Sequence, residues 1–267
     1  MSQSSLVSKP FQMPPGDRNA QADCPLVTRF VPTENYTARR PETEPPRQPE
    51  MLILHYTAMA SAARAVYWLT TPESGVSCHY LVTESGAVIQ MVHEAHRAWH
   101  AGVSYWQGER DINSASIGIE IANPGPDGAL AAEFPHSQME AVRDLAADIC
   151  QRNAIPRHRV LAHSDIAPGR KLDPGPLFDW EWLAGEGVGY WPGAITPTQA
   201  SPSIADAQQR LSDIGYEIEA TGCEDDRTRT VISAVQLHWR PRCYDGVLDA
   251  ETAALIETVW GGTVGVS

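Results

Sequence analysis

Met51-Leu52-Ile53-Leu54 is an unbroken apolar run that ends on His55. A short run with no polar alternation reads as a strand buried on both faces, the kind found inside α/β sheets. Working outward, a helix is expected over roughly 60–70, where Ala63, Val66, Tyr67 and Leu69 can line one face. Cys78-His79-Tyr80-Leu81-Val82 and Ala87-Val88-Ile89-Gln90-Met91-Val92 flank Glu84-Ser85-Gly86 and predict a hairpin. Ser116 to Ala122 reads as a further strand, stopped by Asn123-Pro124-Gly125. Met139, Val142, Leu145, Ala146 and Ile149 recur at helical spacing over roughly 137–153, and Val160-Leu161-Ala162-His163 is a last short strand. Strands interleaved with helices predict an α/β domain over 49–184, a mixed central sheet flanked by helices.

The flanks read differently. Residues 1–48 are polar and carry Pro10, Pro14, Pro15, Pro25, Pro32, Pro41, Pro45 and Pro46. Proline offers no amide donor and bars helix interiors, so this stretch is expected to be an arm on the surface or disordered. Residues 185–203 are rich in Gly and Pro and read as a linker. Residues 204–267 predict a small three-helix domain, with helices over roughly 204–214, 226–239 and 250–259. Asp225 and Asp249 stand where N-caps belong.

Composition narrows the function. The 267 residues are 42% apolar, enough for a real core, and no run approaches the ~18 consecutive apolar residues of a membrane helix. A net charge of −13 repels phosphate backbones, which argues against nucleic acid as a partner. The five cysteines stand singly, without a Cys-x-x-Cys pair, so zinc-finger and thioredoxin-type signatures are absent. Cys223 and Cys243 are the pair an oxidising compartment would allow to bridge. The first residues lack the apolar core of a signal peptide.

All nine histidines except His238 fall between 55 and 163. His55 and His163 each end an apolar strand, and strand ends of an open α/β sheet are where side chains converge on a ligand. A lone strand-end histidine is as a rule structural. Two in the same setting, followed by Asp173, make a set of two imidazoles and one carboxylate that leaves zinc a fourth position for water. Lys171 and Asp173 would project to one side of an extended segment. Lysine is scarce here, only Lys9 and Lys171, so its placement beside a presumed ligand suggests an oxyanion-stabilising charge, although chance accounts for it equally well. Glu120 interrupts Ile117-Gly118-Ile119-Glu120-Ile121, on the face opposite Ile119 and Ile121. A carboxylate in an apolar strand is costly unless paired or ion-bound, so it reads as a base or as a structural salt bridge. His93-Glu94-Ala95-His96 resembles a zincin helix, but its histidines stand three apart where that motif needs four, and they are expected to be exposed or structural.

The segments Leu54-His55-Tyr56-Thr57-Ala58, Ser77-Cys78-His79-Tyr80, Ala98-Trp99-His100-Ala101-Gly102, Ser116-Ile117-Gly118-Ile119-Glu120 and His163-Ser164-Asp165-Ile166-Ala167-Pro168-Gly169-Arg170-Lys171-Leu172-Asp173-Pro174-Gly175-Pro176 resemble the zinc-dependent N-acetylmuramoyl-L-alanine amidases of the AmpD/AmiD type. These are related in fold to phage T7 lysozyme and the peptidoglycan-recognition proteins. The tail, with Ala234 to Pro241 and Tyr244-Asp245-Gly246, is similar to the peptidoglycan-binding module of AmiD-like enzymes.

The resemblance implies one zinc on His55, His163 and Asp173, with Glu120 and Lys171 as catalytic residues. It sets His79, Trp99 and His100 around the substrate cleft. It implies hydrolysis of the amide between the lactyl group of N-acetylmuramic acid and L-alanine, in peptidoglycan or muropeptides; a monomer is expected, a point the sequence leaves open. Where many relatives carry Asn-Asp, this chain has Asn113-Ser114, a difference expected to touch a turn and leave the zinc and the base alone. The rival reading is a non-catalytic peptidoglycan receptor, which has no reason to keep all five residues. The added module favours the cell envelope or periplasm, reached with a leader that this chain does not show. The alternatives are the cytoplasm or export without a signal peptide.

Overall fold

A computed structural model describes residues 12–17, 21–40, 45, 47–125, 132–196 and 203–264. The apolar run is β3 (Met51–Tyr56), an inner strand of a six-stranded mixed sheet. The sheet order is β1 (Val27–Phe30), β5 (Val88–Gln90), β4 (Tyr80–Val82), β7 (Ser116–Ile121), β3 and β8 (Val160–Ala162). β4 and β5 form the antiparallel hairpin, whereas β4–β7, β7–β3 and β3–β8 run parallel.

Alternation along the strands separates the two faces. Leu52, Leu54, Ile117, Ile119 and Ile121 pack against Val142, Leu145 and Ile149 of α3 (His136–Asn153). On the other face, Leu81 and Ile89 pack under α1 (Ala62–Thr70), which Ser61 caps by accepting from the Arg64 N–H. Met51, Ile53 and Leu161 on that same face are covered by apolar side chains from the C-terminal helices.

Those helices are α6 (Ile204–Ile214), α7 (Asp226–Trp239) and α8 (Ala250–Thr263), the last four residues longer than expected. As the sequence predicts, Asp225 and Asp249 cap α7 and α8, accepting from the N–H groups of Thr228 and Thr252. Before them come α2 (Ile112–Ala115), α4 (His163–Ile166) and α5 (Trp180–Gly185). Cys223 and Cys243 are unbridged.

Two expectations need correction. The proline-rich stretch 1–48 is not simply a surface arm: β1 extends the main sheet, and β2 (Tyr36–Ala38) pairs antiparallel with β6 (His96–Ala98). Its Arg39 is 3% exposed, and donates to the carbonyls of Glu94, Ser114 and Ser116. One guanidinium thereby satisfies backbone acceptors that burial would otherwise orphan. The expected linker 185–203 is also packed where it is described, because Val188 is buried and the Tyr190 carbonyl accepts from Trp239 Nε1–H. Residues 197–202 of that stretch lie outside the described residues.

Candidate metal centre and active site

β3 and β7 run parallel with His55 directly beside Glu120. His163 follows β8 immediately as the first residue of α4, one position past the strand where the sequence places it. The chain then turns and returns Asp173, whose carbonyl accepts from the Ser164 N–H. His55 Nδ1 lies 2.9 Å from His163 Nδ1 and 3.1 Å from Asp173 Oδ2, and His163 Nδ1 lies 2.9 Å from the same oxygen. All three residues are buried. Among the described residues this is the one His/Cys/Asp/Glu cluster compact enough to hold an ion.

The hydrogen-bond network assigns the ring nitrogens. Ser116 Oγ–H donates to the Ile112 carbonyl at 2.6 Å, so toward His100 Nε2, at 3.2 Å, the hydroxyl is the acceptor. His100 Nδ1 then accepts from His55 Nε2–H at 3.0 Å. Nδ1 of His55 is left bare and faces the cluster. The Ala101 carbonyl can only accept, so His163 Nε2–H donates to it at 3.0 Å and turns Nδ1 inward. Burial drives the His55 imidazole down to about 4 and that of His100 well below the ordinary range, which keeps both rings neutral.

Three acceptor atoms therefore face one another in a buried triangle. A proton can bridge one edge; a cation at the centre satisfies all of them. Two imidazoles and a carboxylate are a donor set for zinc, and each imidazole carries the outer hydrogen bond that fixes a ligating ring. The residues fit the metal that the sequence implies. Although burial opposes it, when a proton bridges an edge of the triangle the imidazole that carries it holds the Asp173 carboxyl well below the usual carboxylate range.

Glu120 shares its strand face with Gly118 and Ser116, opposite Ile119 and Ile121, as the alternation predicts. Its Oε2 is buried without a hydrogen-bond partner, and among the described residues the carboxyl makes no salt bridge. Burial and the Asp173 charge push its carboxyl well above the usual range, and Lys171 opposes them. Glu120, Lys171, His55, His163 and Asp173 all line one cleft of about 450 Å³. Trp68 and Leu69 of α1 and Met59 just before it form an apolar wall of the cleft, and Trp99 and His100 line the cleft too.

His79, expected at the cleft, is instead 0% exposed. Its Nδ1 accepts from the Gly118 N–H at 3.0 Å, and Arg39 Nη2 lies 3.2 Å from its Nε2. Burial drives its imidazole down to about 3, so it is a neutral internal brace that substrate does not reach. His100 lines the cleft and also orients His55, and Ser116 and the Ala101 carbonyl complete that support. Ser114 accepts from the Arg40 N–H and donates to Asp111, so the Asn113-Ser114 departure sits in a bonded turn. Asn113 Oδ1 accepts from the N–H groups of His100 and Ala101. His93 and His96 stay clear of the cluster: His93 Nδ1 lies 3.1 Å from Asp23, and His96 stacks on Tyr36.

A buried two-imidazole, one-carboxylate cluster beside an unpartnered carboxyl, at strand ends and open to a cleft, is the signature of a metal-dependent hydrolase. The model of the N-acetylmuramoyl-L-alanine amidases matches residues 45–176, and that of a peptidoglycan-binding domain matches 200–256. The chain is 36% identical over 264 residues to N-acetylmuramoyl-L-alanine amidase AmiD of Escherichia coli, covering 89% of this chain and 92% of that protein. It superposes on the structure of that amidase in complex with anhydro-N-acetylmuramic acid-L-Ala-D-gamma-Glu-L-Lys, with a TM-score of 0.73, 33% identity, and 86% of this chain and 98% of that one covered. AmpDh3 of Pseudomonas aeruginosa, in complex with anhydromuramic pentapeptide, gives a TM-score of 0.70 at 34% identity, covering 84% of this chain and 95% of that one. This chain belongs to the N-acetylmuramoyl-L-alanine amidase family.

Proposed function

We propose that the chain hydrolyses the amide between the lactyl group of N-acetylmuramic acid and the L-alanine of the stem peptide, with one zinc ion held by His55, His163 and Asp173. The observation that carries this reading is the triangle of bare acceptor atoms with Glu120 in register beside it. Zinc bound there supplies an acidified water and polarises the scissile carbonyl. Glu120 takes the proton of the attacking water and returns it to the departing L-alanine nitrogen, a task suited to a carboxyl whose burial raises its proton affinity. Lys171, on the same cleft, places an ammonium against the oxygen that gains charge. Trp99 and the apolar wall exclude water and hold the substrate. The enzyme works as a monomer at the cell envelope, a placement supported by its peptidoglycan-binding match.

Digestion of purified sacculi tests this reading. The expected products are stem peptides with free L-alanine amino termini, lost on treatment with a chelator and restored by zinc. Intact sacculi and muropeptides after incubation with the zinc-loaded protein would refute it.

A further inference from the structure

His238 is the one histidine outside the 55–163 segment. It is 1% exposed on α7, stacked between Trp180 at 3.9 Å and Trp239 at 4.0 Å. Its Nδ1 lies 2.7 Å from Oδ2 of Asp165, and the Tyr216 hydroxyl donates to Oδ1 of the same carboxylate at 2.7 Å. Asp165 is 0% exposed and also accepts from the Ala162 N–H at 2.8 Å. It lies in α4, two positions beyond His163. Two donors from the C-terminal domain, Tyr216 just after α6 and His238 on α7, thus complete the carboxylate that ties down the turn carrying one cluster imidazole.

A second contact leads to the same place. The segment that contains His100 and Ala101 continues to Trp106 and Gln107. Gln107 donates its N–H to the Gly215 carbonyl and its side-chain amide to the Ile214 carbonyl, and Trp106 meets the Tyr216 ring edge-on. Ala101 supplies the acceptor for His163 Nε2–H, and His100 holds His55. Both segments that orient the cluster's imidazoles therefore also touch the three-helix domain.

We propose that Tyr216 and His238 are positioning residues of the metal centre. Besides any contact with the wall, the C-terminal domain sets the zinc affinity and turnover of the amidase domain by fixing Asp165 and, through it, His163. The inference rests on His163 being a zinc ligand.

The test uses the full-length chain with Y216F, H238A and H238N. Asparagine can still present a side-chain N–H near the position of Nδ1, and Y216F removes a single oxygen. Zinc affinity is measured on metal-free protein by competition with a chelating dye, at a temperature where circular dichroism shows every variant folded. Activity is measured on a soluble muropeptide, a substrate too small to need wall anchoring. H238A and Y216F are expected to weaken zinc binding about tenfold or more, the range for lost outer-shell partners, and to lower kcat with KM within about twofold. H238N is expected to recover most of the loss. Should H238A fail to fold, Y216F and H238N decide. Zinc affinity within twofold of the parent in Y216F overturns the proposal, and so does an H238N no better than a folded H238A, which would reveal packing alone. A parent chain that takes up no zinc refutes the metal site itself and this inference with it.

Discussion

His55 and His163 present the same atom, Nδ1, to the cluster, but from dissimilar supports. His55 lies on a six-residue strand inside the sheet, paired on both sides, so its backbone is set by the ladder. What remains to fix is the ring, and a side-chain relay through His100 and Ser116 does so. His163 opens a four-residue helix after the edge strand, where no ladder continues. Its ring is aimed by a backbone carbonyl, and its turn needs the buried Asp165 and two donors from another domain. The strand-borne ligand depends on neighbouring side chains, and the loop-borne ligand on tertiary docking.

Asp173 Oδ2 stands against both imidazoles, so Asp173→Ala should break both halves at once. Metal analysis is expected to find no retained zinc and the muropeptide assay only background turnover; full activity would remove Asp173 from the ligand set. Glu120→Gln should leave both halves and the metal in place while slowing turnover roughly 10²–10⁴-fold, the range for loss of a general base. Lys171→Ala should slow turnover about a hundredfold or more with zinc retained, as loss of an oxyanion partner does. Near-normal rates would discard that role. Ser116→Ala probes the relay alone: His100 loses its acceptor, and zinc affinity should fall about tenfold with the fold intact. An unchanged affinity would show that the sheet by itself aims His55.

Much of this site is legible in the sequence because it follows from period-two alternation. His55 and His163 end or follow apolar runs, and Glu120 takes the face opposite its isoleucines. The relay is not legible, since it depends on a non-periodic loop that lays the His100 ring over Gly118. A Cβ there would lie 2.7 Å from that ring. His79 misleads for a related reason: closeness to a motif does not say whether a side chain meets the cleft or the underside of a strand. The strands of the N-terminal stretch are hidden by composition. Pro25 and Pro32 stand just outside β1, and Pro32 precedes β2, where a missing amide costs no ladder bond. The polar text after Pro32 gives no hint that Arg39 will be buried.

Met51 and Ile53 lie in one apolar cluster with Leu211, Val235 and Leu255. A catalytic half severed near residue 200 would expose an oily sheet face to water and would be prone to clump. Proteolysis or gene surgery at that point should yield insoluble fragments, and heating the whole chain should give a single cooperative melt. Exchange of this tail between relatives would succeed only where the recipient's sheet was already shaped to receive it, so the two halves are bound to diverge together.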